Sequence, residues 1–397
     1  MKEKELINPP SVLIVDDNVN NLQVLGGFLK SEGMQIEFAI SGISALQWLN
    51  KRMFDIILID IMMPGMDGFD VCTKIKQLPD AAGIPIIFIT AKTDSESVIR
   101  GFELGAVDYI TKPFIHSELL ARVKTQLNIR KTQEQNNAYL KEIERRNRDI
   151  NSSIDYARHI QDAIMSRSNN YLQYLQEYFT IYLPKDILSG DFFWVYKVEK
   201  KLIIAVMDCT GHGVPGALMS ILGIALLNET VLHDHIIQPD IILESLRSKI
   251  IMALAQRKGN DHVKDGIEGS VICFDTETKK LQYSGAFNPL IIMRNGEMTE
   301  IKANRFPIGY NDTYESFSLH ELFLEKEDIV YLFSDGIIDQ FGGLKDKRFM
   351  LEHLKEIIYQ NHLSSLERQK ELLARELDEW KGDLDQTDDI LILGVRF

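Results

Sequence analysis

A chain of 397 residues exceeds one ordinary hydrophobic core and predicts two or three domains. Its 45% hydrophobic and 26% charged residues are the balance of a globular chain, and 44 Lys+Arg against 58 Asp+Glu give a net charge of -14. That charge argues against an output that binds nucleic acid, because phosphate backbones need a concentrated basic surface and no basic run occurs.

Residues 1–11 are charged and contain no signal-like apolar stretch. The most apolar segments, such as 84–89 and 221–227, are far shorter than the roughly 18 residues a membrane span needs. Cys72, Cys209 and Cys273 stand apart without CxxC spacing, as reduced thiols do in a reducing compartment. A cytoplasmic chain is expected, with neither nucleic acid nor membrane as partner.

Short β-branched runs at 12–15, 36–39, 56–59, 86–89 and 107–110 predict five strands. The first, third and fourth are almost wholly apolar, as in a parallel sheet covered on both faces. Between them Leu22, Leu25 and Leu29, then Ala45, Leu46 and Leu49, recur at helical spacing. Such alternation predicts a doubly wound α/β domain. Asp16 and Asp17 follow the first strand, Asp60 the third, Thr90 the fourth and Lys112-Pro113 the fifth. Residues at the carboxyl ends of parallel strands converge, and clustered carboxylates there suit Mg2+. One carboxylate could then attack a phosphoryl group while the metal and Lys112 neutralise charge and the Thr90 hydroxyl donates to it.

Residues 129–168 are almost free of Gly and Pro. Leu140, Ile143, Asn147, Ile150, Ile154, Ala157, Gln161 and Ile164 alternate at steps of three and four, a heptad seam with Asn147 and Gln161 as polar members. A parallel coiled coil is expected; a single amphipathic helix on a neighbouring domain is the alternative.

From about residue 171 strands are predicted at 202–207, 271–274, 281–284, 290–294, 329–333 and 390–395, with Asn295-Gly296 as a hairpin turn. Helical patterns follow Pro215 and Pro239, and another covers 363–380. Asp191 follows Ser189-Gly190, Asp208 leads into Cys209-Thr210-Gly211-His212-Gly213, Asp335 precedes Gly336, and Asp388-Asp389 opens the last strand. Glycine beside an acid lets backbone approach a ligand closely. Scattered carboxylates without a His-rich or Cys-rich cluster suit Mg2+ or Mn2+ over zinc, and two such ions can activate water against phosphorus. The His233-Asp234-His235 triplet sits at a predicted helix end and reads as surface.

VLIVDDN, DIILIDIMMPGMDGFD, PIIFITA and GAVDYITKPF resemble the signature blocks of response-regulator receiver domains. The resemblance implies a flavodoxin-like fold over 1–128 with Asp60 as phosphoacceptor and a sensor histidine kinase as partner. It also implies Mg2+ at Asp16, Asp17, Asp60 and the Met62 carbonyl, Thr90 as switch hydroxyl, Tyr109 as switch aromatic, and Lys112 on the phosphoryl oxygens before a cis proline. SIDYARHIQDAI, PKDILSGDFFW, MDCTGHGVPGALMS, GAFNPL, YLFSDGIIDQFGG and WKG…QTDDILILGVRF resemble the PPM-type phosphatases of the sporulation-stage-II-E branch. That implies a β-sandwich flanked by helices over 169–397, acting on phosphoserine or phosphothreonine of a regulatory protein such as an anti-sigma factor antagonist. Two Mn2+ or Mg2+ ions are expected at Asp191, Asp208, the Cys209 carbonyl, Asp335 and Asp388, with Asp208 bridging.

The chain departs from the branch at Asp265-Gly266-Ile267-Glu268, where Glu268 replaces an Asp, and at Leu391, where many relatives have Thr. His212 could be a general acid or an orienting residue; Lys185 could meet the substrate phosphate or be solvated. SGDFF also faintly resembles the acidic turn of diguanylate cyclases, but Phe192 stands where those have Glu. A phosphatase fold without activity, binding a signalling partner under receiver control, is the competing function. A homodimer joined along residues 129–168 is expected to carry the signal from Asp60 to the phosphatase.

Overall fold

The computed structural model describes residues 9–91, 95–256, 265–311, 315–343 and 346–397, so most of the charged start lies outside the described residues. The chain divides into two units, Met1–Asn147 and Arg148–Phe397.

In the first unit, five strands alternate with helices: β1 (Ser11–Val15), α1 (Val19–Lys30), β2 (Gln35–Ala39), α2 (Gly42–Leu49), β3 (Ile56–Asp60), α3 (Gly68–Gln77), β4 (Ile86–Ala91), α4 (Ser95–Glu103) and β5 (Asp108–Lys112). All strand pairs are parallel, in the order β2-β1-β3-β4-β5. Every residue of β3 is buried, because alternate residues enter two different cores. Ile57 and Ile59 pack with Val71 and Ile75 of α3, whereas Ile56 and Leu58 pack with Leu22, Leu25 and Leu29 of α1. The doubly wound expectation holds, since an all-apolar strand needs cover on both faces.

Helix α5 runs without a break from His116 to Leu172 and contributes residues to both units. Its heptad seam divides. Leu140, Ile143 and Ile150 are exposed, whereas Ile164 and Met165 join the core of the second unit and Gln161 is buried. At Gln161 the helix follows the alternative reading, an amphipathic helix on a neighbouring domain: instead of a polar member of a helix–helix seam, it is a residue buried against the second unit.

The second unit begins with β6 (Glu177–Leu183), β7 (Phe192–Val198), β8 (Lys201–Cys209) and α6 (Gly213–Asn228), which continues into a π-helical turn, Glu229–His233. It continues with α7 (Pro239–Ala253), β9 (Ile267–Asp275), β10 (Lys280–Ala286), β11 (Leu290–Arg294), β12 (Glu297–Ile301), β13 (His320–Phe323) and β14 (Ile329–Phe333). Last come α8 (Gly336–Asp339), β15 (Phe341–Gly342), β16 (Lys347–Arg348), α9 (Leu351–Asn361), α10 (Leu366–Lys381) and β17 (Ile390–Arg396). Two antiparallel sheets result, β13-β10-β9-β8-β7 and β12-β11-β14-β17-β6. Leu290, Ile292, Val330 and Leu332 enter the core shared with the first sheet, while Ile291, Met293, Tyr331 and Phe333 face a second core with α9 and α10. That two-faced burial explains why β14 reads as a continuous apolar run. Gly213–His233 is long and apolar enough to cross a membrane, longer than the apolar runs read from the sequence; 56% of its most apolar window is buried inside the domain.

Candidate functional site

In the first unit, Asp16, Asp60 and Lys112 meet because each lies at the carboxyl end of a parallel strand. Lys112 Nζ donates to Asp60 Oδ2 at 2.8 Å and to Asp16 Oδ2 at 3.2 Å. Asp16 is sealed from solvent, and its oxygens also accept from the Asn18 N–H and from Asn21 Nδ2, each at 2.8 Å. Carboxylate oxygens of Asp16, Asp17 and Asp60 lie within 4.8 Å of one another. Burial pushes the Asp60 carboxyl up, Lys112 pulls it down, and the Asp16 charge pushes it up again. Three carboxylates against one ammonium leave an excess of negative charge at a hard oxygen cluster, which fits Mg2+.

Met62, proposed from the sequence for its carbonyl, has its backbone N–H bonded to Asp60. Thr90 is buried, its hydroxyl turned to the Ala91 carbonyl at 3.4 Å. Tyr109 is half-buried, with its ring centroid 6.3 Å from that of Phe102 and 5.3 Å from the Arg122 guanidinium carbon. Lys112-Pro113 is a cis peptide, as the resemblance implied. Gly68 is needed at the start of α3, since a Cβ there would lie 2.3 Å from the Asp60 carbonyl oxygen.

In the second unit, Asp191 precedes β7, Asp208 lies near the end of β8, Asp335 follows β14 and Asp388 precedes β17. The two sheets thus bring acids from distant parts of the chain together. Burial raises the Asp191 carboxyl well above its ordinary range, and the charges of Asp389, Asp388 and Asp335 add to it. Burial does the same for Asp208, reinforced by Asp191, Asp335 and Asp388, and the Asp208 and Asp335 carboxyls hydrogen-bond to each other. Among the described residues, no three of these carboxylates bring oxygens as close together as the receiver trio does. Asp191 Oδ2 is buried with no hydrogen-bond partner. Buried carboxylate oxygens are ordinarily satisfied, so an orphan among like charges fits a place for a divalent cation.

Around these acids stands a frame the sequence showed only in part. Asp389, given no role beside Asp388, accepts from the Lys185 N–H at 2.8 Å and the Gly190 N–H at 2.7 Å, tying down the turn that carries Asp191. Gln161 holds the same turn from the other side: its Nε2 donates to the Ser189 carbonyl at 2.6 Å and Ser220 Oγ at 2.8 Å, and its Oε1 accepts from the Ser189 N–H at 3.3 Å. A Cβ at Gly190 would lie 2.7 Å from the Gly211 carbonyl oxygen, and one at Gly216 only 2.1 Å from it. These glycines let the two acid-bearing loops and the start of α6 touch through their backbones.

Glu268 pairs across from Asp208 in the β8–β9 register, and burial pushes it up to about 7, with help from Asp335 and Asp339. Asp265 engages Gln256 through its carbonyl. His212 Nδ1 lies 2.6 Å from Asp186 Oδ2, and both side chains are about half exposed. Lys185 is half-buried, and the Cys209 thiol is buried and pushed well up. His233, Asp234 and His235 are exposed, with Asp234 paired to Lys249 at 2.7 Å.

The family model "Response regulator receiver domain" matches residues 12–124. The first unit is 40% identical over 116 residues to the DNA-binding response regulator MtrA of Mycolicibacterium paratuberculosis, covering 29% of this chain and 50% of that one. It is 42% identical over 114 residues to the response regulator PleD of Caulobacter vibrioides, covering 29% of this chain and 25% of that one. The chain thus matches half or less of these relatives' lengths. The solved SiaA-PP2C domain of Pseudomonas aeruginosa is similar with a TM-score of 0.58 and 29% identity, covering 63% of this chain and 98% of that one. The model "Stage II sporulation protein E (SpoIIE)" matches residues 199–397, half of the chain. The chain belongs to the stage II sporulation protein E family, as a response regulator whose receiver domain precedes a PP2C-type phosphatase domain.

Proposed function

We propose that this protein is a cytoplasmic, homodimeric response regulator that accepts a phosphoryl group on Asp60 from a sensor histidine kinase and so controls dephosphorylation of a phosphoserine or phosphothreonine regulatory protein, such as an anti-sigma factor antagonist. The division is a receiver over 1–128, a helical linker over 129–168 and a phosphatase over 169–397.

In the receiver, Asp16, Asp17, Asp60 and the Met62 carbonyl would hold Mg2+. Lys112 already donates to Asp60 and is placed to balance charge on an acyl phosphate. Thr90 would turn its hydroxyl from Ala91 to the phosphoryl oxygens, and Tyr109 would follow inward. In the phosphatase, Asp191, Asp208, the Cys209 carbonyl, Asp335 and Asp388 would hold two Mn2+ or Mg2+ ions. Bound divalent cations supply neutralisation of phosphoryl charge and a lowered pKa for water. This chain's own residues hold that arrangement in place: Asp389 and Gln161 fix the Asp191 turn, and Asp186 orients His212 at the N-terminal end of α6. Leu391, where many relatives have Thr, is packed in the hydrophobic core, so that departure removes no polar group from the acid cluster and speaks against an inactive module.

The observation that carries the reading is the orphaned, buried Asp191 Oδ2 amid converging acids from both sheets. The test is hydrolysis of a phosphoserine peptide with and without Mn2+ by wild type, Asp208→Asn and Asp335→Asn. Turnover should require the metal and fall by orders of magnitude in both variants. Wild-type turnover by Asp208→Asn would sink the metal reading and favour a binding module.

A further inference from the structure

The short helix α8 follows Asp335 and ends at Asp339, whose N–H donates to the Asp335 carbonyl at 2.9 Å. The chain then forms the β15–β16 hairpin, in which Phe341 pairs with Arg348 and Gly342 with Lys347. Arg348 Nη1 lies 3.0 Å from Asp339 Oδ1, its guanidinium carbon sits 5.8 Å from the Phe341 ring centroid, and its side chain is still 54% exposed. Through Asp339, Arg348 stands one helical turn from Asp335.

The hairpin is fastened to the segment that leads into Asp388. Gln340, fully buried, donates to the Asp385 carbonyl at 3.1 Å and accepts from the Thr387 N–H at 3.0 Å. The Phe341 N–H donates to Thr387 Oγ1 at 3.3 Å, and Trp380 Nε1 donates to the Gln340 carbonyl at 3.3 Å. A Cβ at Gly342 would lie 1.9 Å from the Trp380 carbonyl oxygen, so the strand lies directly on α10. Arg348 is thus a cation on a fixed wall beside the acids.

On the phosphatase reading, which this step presupposes, we propose that Arg348 is a specificity residue that pairs with an acidic side chain flanking the phosphoserine of the substrate. In a chain of net charge -14, the rim of this acid cluster repels an acidic peptide unless a cation meets it. A guanidinium has five donors, and Asp339 uses only part of that fork. The phosphoryl group belongs at the buried acids, whereas Arg348 stands beyond Asp339 at the exposed edge; the anion it meets is therefore a neighbouring carboxylate.

The test uses the full chain with Mn2+ and two synthetic phosphoserine peptides, one flanked by aspartates and one by asparagines. The ratio of kcat/KM, acidic over neutral, should fall about fivefold in Arg348→Ala, the upper range for an exposed ion pair. Arg348→Lys should restore most of it, and Arg348→Glu should lower it further. An unchanged ratio overturns the proposal. So does an equal loss on both peptides and on p-nitrophenyl phosphate, which would place Arg348 on the phosphoryl group itself. No turnover of any of the three by wild type would instead defeat the phosphatase reading. Fluorescence anisotropy with labelled peptides would then still decide whether Arg348 distinguishes them.

Discussion

At the scale of single residues, the phosphatase site is a study in crowding. Asp191, Asp208, Asp335, Asp389 and Glu268 are all pushed up, with burial the first cause for each and mutual repulsion adding to it. Glu268 gives the sign of the pH effect on stability. Its folded value is about 7, against an ordinary 4.5. Below 4.5 it is protonated in both folded and unfolded chains and costs nothing. As pH rises from 4.5 to about 7 the unfolded chain ionises while the folded one stays protonated, so stability is lost over that range and levels off above it. In chelator-treated protein, Glu268→Gln should therefore gain thermal stability over wild type between pH 5 and pH 8. Scanning fluorimetry checks this, and a difference that stays constant or shrinks would contradict it. The candidate acids Asp191 and Asp335 stood out in the sequence because glycine adjoins each at a strand end, and Asp208 because Gly211 and Gly213 follow it. Asp389 did not, because its two partners lie 204 and 199 residues away and a backbone acceptor leaves no local pattern. Asp186 was missed for a similar reason, since only the fold brings it to His212.

At the scale of elements, strands with both faces covered were read easily, and 290–294 and 329–333 match β11 and β14 end for end. The strands β6 and β7 escaped notice. Glu177–Leu183 is half-exposed on the sheet edge beside β17, and Phe192–Val198 ends in partly exposed polar positions. Helix α9 was missed as well, and the long helix extends beyond both ends of the 129–168 stretch read from the sequence. A heptad pattern records which residues are apolar, not which surface covers them. Gln161 shows the difference, since it meets Ser189 and Ser220 rather than a second helix. Gln161→Ala would leave the Ser189 carbonyl short of a buried donor and loosen the Asp191 turn. The Mn2+ concentration for half-maximal turnover should rise about tenfold or more, the scale seen when partners of metal ligands are removed. A metal titration with circular dichroism as control measures it; an unchanged midpoint would make Gln161 a packing residue only.

For the whole molecule, a receiver and a phosphatase are joined by one helix, His116–Leu172. Its first part carries exposed Leu140, Ile143 and Ile150, an apolar line suited to a second copy. Its last part carries Gln161 against the Asp191 turn. On this account phosphorylation of Asp60 biases how two such helices pair, and Gln161 passes that bias to the acid cluster. The alternative is a passive tether, in which the receiver only localises an enzyme that is always active. Regulation requires the phosphoryl group to favour one arrangement in free energy, typically by about 1–3 kcal/mol, or roughly 5- to 150-fold in activity. The decisive measurement is phosphoserine-peptide turnover by the full chain with saturating Mn2+, before and after an acyl-phosphate donor, in wild type and in Asp60→Asn. The account predicts a change of at least about fivefold in wild type and none in Asp60→Asn. No change in wild type, or the same change in both proteins, would contradict it.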